Sequence, residues 1–199
     1  MTAMVVSAAG LSLEDLRDAY AHRFPNRPGL WVDKGWLMGV WVIGALFARH
    51  GDYYGAFPHG FLERIDAMFP ARRALLHLFS GSVQSVPGAT TLDIRPECAP
   101  DVVHDAHLPL PFPSGAFDLV LADPPYTPTD AKHYGTRGIN RALVMRNTRP
   151  VVEPGGYLLW LDTVRPMYRK TDWQQVGAIA VLISTNTRVR CLSIFRAVP

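Results

Sequence analysis

The segment VLADPPYTPTD, residues 120–130, places a carboxylate, two prolines and an aromatic ring directly after an apolar run. Asp123 can accept hydrogen bonds, whereas Pro124 and Pro125 remove two backbone donors and hold the local chain stiff. Tyr126 adds an aromatic face at the same point. A carboxylate, a fixed carbonyl oxygen and a flat ring are together suited to holding a planar group that carries an amine.

Three shorter apolar runs earlier in the chain also end in residues that can contact a ligand: ALLHLFSGS (74–82), ATTLDI (89–94) and DVVHDA (101–106). Gly81 would let the backbone approach a ligand closely. Asp93 stands where an acid commonly bonds ribose hydroxyls, and Asp105 could accept a hydrogen bond from an adenine amino group. Each of the three is also compatible with an ordinary turn or cap, so the inference depends on their order along the chain.

The alternation of apolar runs with connecting segments predicts an α/β fold with a parallel sheet and right-handed connections. The runs GYLLWLD, AIAVLIS and VRCLSIF continue this pattern, and the last two predict a closing hairpin that adds an antiparallel strand. In such a sheet, ligands bind outside the carboxyl ends of the strands. We therefore expect the polar residues at the strand ends to lie along one edge.

The pattern also predicts four helices, at residues 11–22, 36–48, 61–69 and 139–148. The second, WLMGVWVIGALFA, has 13 residues, fewer than the roughly 20 that span a bilayer, so we predict a buried helix and no membrane partner. We divide the chain into a helical N-terminal extension, residues 1–50, and one larger domain, residues 51–199.

The composition is that of a globular protein, with 48% apolar and 19% charged residues in 199. The net charge of +3 is compatible with a polyanionic partner but does not require one. Cys98 and Cys191 form neither a disulfide framework nor a CxxC pair. We therefore predict a cytoplasmic protein without a metal site.

The order of these motifs resembles the class I S-adenosylmethionine-dependent methyltransferases of the DPPY type. That group methylates exocyclic amines, mostly N6 of adenine in DNA, and has N4-cytosine and RNA N2-guanine relatives. The resemblance covers roughly residues 53–198. HLFSGS is similar to the element D-x-F-x-G-x-G, TLDI to its ribose-binding acid, HDAHLP to its adenine-contacting acid, and ADPPY to its catalytic motif. His77 replaces the usual acid of the first element, and Val83 replaces its second glycine.

The resemblance implies a Rossmann-like methyltransferase fold, with a seven-stranded, mostly parallel sheet and a C-terminal antiparallel hairpin strand. It implies S-adenosyl-L-methionine as the cofactor. The catalytic residues would be Asp123, Pro124, Pro125 and Tyr126. The cofactor-binding residues would be Tyr53, Tyr54, His77, Phe79, Gly81, Asp93, Ile94, Asp105 and Ala106. Tyr53 and Tyr54 are alternatively packing residues.

A nucleobase amine is a poor nucleophile because its lone pair is delocalised into the ring. Two acceptors aimed at its hydrogens, the Asp123 carboxylate and the Pro124 carbonyl, would favour rehybridisation and stabilise the developing charge. Tyr126 would stack on the base, which must be flipped out of a duplex or single-stranded. The segment after Tyr126 is rich in basic residues that either contact phosphates or form a solvated helix face: Lys132, His133, Arg137, Arg141, Arg146 and Arg149.

Three functions follow from this reading. The first is an amino-methyltransferase acting on DNA, on N6 of adenine, so that DNA is favoured over RNA as the partner. The second is an RNA base methyltransferase, such as one that makes N2-methylguanine. The third is a non-catalytic module that binds S-adenosylmethionine or nucleic acid. Asp162, at the end of a later apolar run, is a further candidate for the target pocket.

Overall fold

The structure is a computed structural model that describes residues 7–44, 57–126, 129, 138–184 and 189–199. The described strands are β1 Leu30–Asp33, β2 Trp36–Ile43, β3 Leu75–Leu78, β4 Ala89–Asp93, β5 Val102–Val103, β6 Phe117–Ala122, β7 Val152–Asp162, β8 Trp173–Ile183 and β9 Val189–Ala197. The described α-helices are α1 Leu13–Arg23, α2 Phe61–Met68 and α3 Arg141–Thr148.

These strands form one sheet in the order β1-β2-β8-β9-β7-β6-β3-β4-β5. Neighbours from β5 through β7 are parallel, and β9 is antiparallel to both β7 and β8. The chain leaves β3 towards β4 and β5 and then returns to the other side of β3 as β6. The predicted fold class, a Rossmann-like, mostly parallel sheet with a C-terminal antiparallel hairpin strand, is confirmed. The sheet has nine strands rather than the predicted seven.

The two additional strands come from the N-terminal part of the chain, where the helix predicted over residues 36–48 is wrong. Residues Trp36–Ile43 form β2, and their burial alternates along the strand. Lys34 and Gly35 both have positive φ, 47° and 75°, which makes the two-residue turn that joins β1 to β2 as a hairpin. Residues 45–48 of the predicted helix and the predicted boundary at residue 50 lie outside the described residues.

β2 joins the sheet through parallel pairing with β8, from Leu37 opposite Gly177 to Ile43 opposite Ile183. Gly177 allows a close approach, since a Cβ there would lie 2.4 Å from the Leu37 carbonyl oxygen. This long-range pairing overrides the apolar run's resemblance to a buried helix segment.

The remaining predicted helices are confirmed. α1 begins with a capping box in which the Asp15 backbone N–H donates to Ser12 Oγ at 3.1 Å and the Ser12 N–H donates to Asp15 Oδ2 at 2.8 Å. The pKa of Asp15 is lowered chiefly by its hydrogen bonds with Ser12. None of the helices in the described part of the chain has the length and apolar character needed to cross a membrane.

Helices pack against both faces of the sheet, although one face stays exposed at the β1 end. On one face, α1 and α2 bury side chains against the strands, with Tyr20 stacked on Trp41 at 5.7 Å between ring centroids. On the other face, α3 packs Val144 and Met145 over the centre of the sheet. The polar residues that follow the parallel strands lie at the carboxyl edge of the sheet, between the two helix layers.

The amino ends of the strands are held by one buried carboxylate, that of Asp118 in β6. Its Oδ2 accepts hydrogen bonds from the backbone N–H groups of Ala8 at 3.0 Å and Arg73 at 2.8 Å. Its Oδ1 accepts from the Ala74 N–H at 2.9 Å. Asp118 is 2% exposed and the Ala8 N–H is also buried, so loss of the carboxylate would leave a buried donor without an acceptor.

We predict that Asp118→Asn lowers the free energy of unfolding by about 3 kcal/mol, because either orientation of the amide aims an NH₂ group at a buried N–H donor. Urea unfolding measures this change. Asp66→Asn is the matched control, since Asp66 is a half-exposed partner of Arg72 at 3.0 Å and its loss should change the free energy by less than about 1 kcal/mol. Equal effects in the two variants would contradict the role assigned to Asp118.

Candidate active site

The predicted site residues that the structure describes lie at the carboxyl ends of the strands around the point where the order of the sheet reverses, between β3 and β6. In open α/β sheets this is the point at which a crevice opens at the carboxyl edge. The turn after β3, Asp93 at the end of β4, Asp123 directly after β6 and Asp162 at the end of β7 all lie along that edge. The sequence prediction that polar strand ends share one edge is confirmed.

The turn after β3 has a backbone shape that brings its amide groups towards β4. Phe79 and Gly81 have positive φ values of 58° and 53°. For a non-glycine residue such as Phe79 this conformation costs about 1 kcal/mol, so the surrounding contacts must maintain it. The Ser80 N–H donates to the Leu92 carbonyl at 3.1 Å, and the Gly81 N–H donates to Asp93 Oδ2 at 2.8 Å.

Two polar side chains of β3 and its turn are buried without a hydrogen-bond partner among the described residues. They are His77, through Nδ1, and Ser80, through Oγ, and they are 5% and 3% exposed. Burial, together with the positive charge of Arg72, lowers the pKa of His77 to about 4, so the imidazole is neutral at neutral pH. Unsatisfied buried polar atoms of this kind are uncommon and call for a partner from outside the described chain.

The Asp93 carboxylate is oriented by the protein before any ligand arrives. Besides the Gly81 N–H, it accepts hydrogen bonds from the Arg95 N–H at 3.0 Å and from Arg95 Nε at 3.4 Å. Among the described residues, these contacts use three of about four acceptor positions, which leaves one for a further hydroxyl. The neighbouring Ile94 side chain is 42% exposed and offers an apolar face beside the carboxylate.

Asp105 and Ala106 follow β5, and Asp105 is connected to α3 by a histidine that sequence analysis did not single out. His107 Nδ1 lies 2.8 Å from Asp105 Oδ1, and the backbone N–H of Asn140 donates to His107 Nε2 at 3.0 Å. Because an amide N–H can only donate, the ring must carry its proton on Nδ1 and donate it to Asp105. Ala106 is buried, and its carbonyl accepts from Asn147 at 3.3 Å.

The DPPY segment holds its own carboxylate in place. The Tyr126 hydroxyl donates a hydrogen bond to Asp123 Oδ1. Burial raises the pKa of Asp123 to about 7, against the opposing effects of the Tyr126 hydrogen bond and the Arg190 charge. Burial also raises the pKa of Tyr126 well above its usual value, so the hydroxyl keeps its proton. Pro124 is buried and Pro125 is partly exposed.

Arg190 is a second residue of this edge that sequence analysis missed. Its guanidinium lies over the Tyr126 ring, 4.9 Å from the centroid. β9 runs antiparallel to β7, with Cys191 opposite Asp162, so the first residues of β9 lie at the carboxyl edge of β7. The predicted hairpin could have indicated this, because its second strand has to begin at the site edge.

Asp162 belongs to the edge but is fully engaged with the protein. Arg141 donates to Asp162 Oδ2 through Nε at 2.7 Å and to Oδ1 through a terminal nitrogen at 3.2 Å. The same terminal group donates to the Tyr126 carbonyl at 2.9 Å. Trp160 Nε1 and the backbone N–H groups of Thr163 and Val164 also donate to this carboxylate. Asp162 therefore positions Arg141 and Tyr126 rather than facing a substrate.

The predicted basic surface after Tyr126 is only partly described. Arg141 is used in the contact with Asp162, and Arg149 donates to the carbonyls of Val152 and Val198. Arg146 lines a shallow surface groove beside Met167 and Tyr168. Tyr53, Tyr54, Lys132, His133 and Arg137 lie outside the described residues, so their roles stay predictions. Within the described residues, no cluster of three or more metal-ligating side chains is found.

No protein-family model matches the sequence, and no curated protein is significantly similar to it. Among solved structures, the PH0226 protein from Pyrococcus horikoshii OT3 overlaps 68% of this chain and 87% of its own, with a TM-score of 0.43 and 14% identity. The antibiotic-resistance methyltransferase Kmr overlaps 79% of this chain and 100% of its own, with a TM-score of 0.40 and 13% identity. The trans-methyltransferase CalH, in complex with SAH, overlaps 62% and 51%, with a TM-score of 0.36 and 12% identity.

We predict opposite pH dependences of stability for two variants of the edge. Asp123 ionises near pH 7 when folded but near 3.9 when unfolded, so the parent loses stability as pH rises from about 4 to 7. Asp123→Asn should therefore gain stability relative to the parent over this range. His77 binds its proton near pH 4 when folded and near 6.5 when unfolded, so His77→Gln should lose relative stability as pH rises from about 4 to 6.5.

Urea unfolding of the parent and both variants at several pH values between 4 and 8 measures these differences. If the difference in free energy of unfolding between each variant and the parent stays constant with pH, neither group has the shifted pKa that its burial implies.

Proposed function

We propose that this protein is an S-adenosylmethionine-dependent methyltransferase that methylates an exocyclic amine of a nucleobase, with N6 of adenine in DNA as the first candidate. One observation carries the proposal. The Gly81 turn, Asp93 and Asp105 lie at the ends of β3, β4 and β5, on one side of the point where the order of the sheet reverses. The segment Asp123-Pro124-Pro125-Tyr126 follows β6, on the other side of that point.

The residues present suit the cofactor. S-adenosylmethionine would supply a sulfonium methyl group at this edge. Asp93, fixed by Gly81, retains an acceptor position for a ribose hydroxyl, and Ile94 offers an exposed apolar face for the adenine ring. The unsatisfied buried atoms of His77 and Ser80 are polar groups for which the described chain has no partner. Tyr53, Tyr54, Phe79, Asp105 and Ala106 complete the proposed set.

The target amine would be held by Asp123 and the Pro124 carbonyl. Tyr126 occupies Asp123 Oδ1, and within the described residues Oδ2 accepts no hydrogen bond, so Oδ2 can receive one amine hydrogen. The Pro124 carbonyl would receive the other, which favours a tetrahedral nitrogen with its lone pair free. A carboxyl group with a pKa of about 7 can also take the proton that the methylated nitrogen releases near neutral pH.

Arg190 favours a second candidate substrate, guanine in RNA methylated at N2. Its guanidinium lies over the Tyr126 ring and beside Asp123, at the end of the site assigned to the target base. The arginine fork matches the O6 and N7 acceptors of guanine. Adenine lacks the O6 acceptor, so for adenine Arg190 would instead contact a phosphate.

We predict that Asp93→Ala weakens the binding of S-adenosylmethionine by about 1.5–3 kcal/mol, since the variant loses a charged hydrogen bond to the ribose. Isothermal titration calorimetry measures the change. Asp33→Ala is the control, because Asp33 is an exposed residue of β1. An unchanged affinity in a folded Asp93→Ala protein would remove Asp93 from the cofactor site.

We predict that Asp123→Ala lowers methyl transfer about 10²–10³-fold while cofactor affinity stays close to that of the parent. The assay uses cofactor with a labelled methyl group and DNA and RNA oligonucleotides of mixed sequence, followed by nucleoside analysis. Labelled N6-methyladenine from DNA supports the first candidate, and labelled N2-methylguanine from RNA supports the second. Cofactor binding without transfer to either would favour a non-catalytic module. Near-normal turnover in Asp123→Ala would contradict the mechanism.

A further inference from the structure

One face of the sheet is apolar and exposed at its β1 end. Cross-strand pairing places Trp31 opposite Met38, and Met38 opposite Ala178, so their side chains share this face. We call it the β1–β2–β8 face, and it consists of Trp31, Asp33, Trp36, Met38, Val40, Val42, Ala178, Ala180 and Leu182. Trp31 is 48% exposed, Trp36 39% and Val42 53%.

The exposure is unexpected for this kind of strand pairing. β2 and β8 are parallel, and parallel strands are normally covered on both faces. The opposite face of the same strands is covered, because Leu37, Trp41 and Ile43 pack with α1 and α2 in one buried cluster. Among the described helices, α3 covers only the more central strands on the exposed side. Among the described elements, the β1–β2–β8 face therefore lacks the helix layer that covers its opposite side.

The chemistry of this face restricts what can cover it. Asp33, at the end of β1, is the one charged side chain among these nine, in a chain in which 19% of residues are charged. A nucleic acid would gain no phosphate contact here, so the face is unsuited to the substrate of the proposed function. Its natural complement is another surface that is apolar over most of its area.

We propose that the β1–β2–β8 face packs against the same face of a second copy of this chain. A two-fold contact is formed by one patch on both subunits, and this patch can pair with itself because eight of its nine side chains are uncharged and Asp33 lies at the end of β1, at the margin of the patch. The four most exposed side chains, those of Trp31, Trp36, Val40 and Val42, present roughly 350 Å² of apolar surface, a large patch for a monomer. With the polar rim around it, this is a suitable centre for the roughly 800 Å² per subunit of a stable dimer.

The two sheets would stack face to face about 10 Å apart, as the sheets of a β-sandwich do. The candidate active site opens at the carboxyl edge of the strands rather than on this face. The proposal is therefore independent of the proposed function, and a dimer of this kind leaves both sites open.

Size-exclusion chromatography with light scattering of the full chain, from 1 to 100 µM, tests the proposal. The parent should have twice the chain mass of 22.1 kDa. Val42→Lys introduces a charge among the apolar side chains of the face and should raise the dimer dissociation constant at least roughly 100-fold. Val103→Lys is the matched control, because Val103 is 54% exposed on β5 at the opposite end of the sheet, and it should leave the dimer intact.

Val40→Lys provides a second variant at the same face, and circular dichroism shows that each variant is folded. In the parent, tryptophan emission should shift to longer wavelength as the dimer is diluted, because Trp31 and Trp36 then become exposed to water. A parent that stays monomeric at 100 µM would overturn the proposal, and sedimentation with phosphatidylcholine vesicles would then test lipid as the occupant. A dimer that survives both face variants, or that Val103→Lys also dissociates, would overturn it as well.

Discussion

The pair formed by Asp162 and Arg141 is the interaction on which the substrate side of the edge depends. Asp162 is 1% exposed at the end of β7, and a carboxylate so deeply buried requires a charged partner with good geometry. Arg141 meets this requirement with two parallel donors, which fixes the start of α3 against the sheet. Because Arg141 also holds the Tyr126 carbonyl, the same pair sets where the DPPY segment leaves β6.

A second hydrogen-bond network continues from α3 to the proposed cofactor side. Asn140 caps α3 through its side chain, which accepts from the Leu143 N–H at 3.1 Å, while its own N–H is bound by His107. His107 in turn holds Asp105. The residues proposed to contact the adenine of the cofactor and those proposed to hold the target amine are thus connected through one short helix. A displacement of α3 would disturb both, which gives the two halves of the site a common support.

Two ionisable groups at the carboxyl edge are held in surroundings that disfavour their charged forms. His77 is kept neutral by burial, and Asp123 is brought close to neutral pH by burial, so both depart from their usual pKa values at the cost of folding stability. The left-handed backbone conformation of Phe79 is a third local feature at the carboxyl edge that lowers the free energy of unfolding. The buried carboxylate of Asp118 stabilises the amino edge, so the two ends of the strands differ in what they contribute.

The sequence by itself determined the strand ends that make the site, because each is a local pattern. Apolar runs stop at Gly81, Asp93 and Asp123, and glycine, aspartate and proline are the residue types that favour turns through their own backbone and side-chain chemistry. Only the tertiary structure decided that residues 36–43 are a strand, since a short apolar run is helix or strand according to its distant partner β8. Only the tertiary structure also revealed the site contacts of Arg190 and Arg141, because their partners Tyr126 and Asp162 are distant in the chain. The contact of His107 with Asp105 is local, but it depends on the direction of the His107 side chain. Strand order and side-chain direction are set by packing, and no local pattern encodes them.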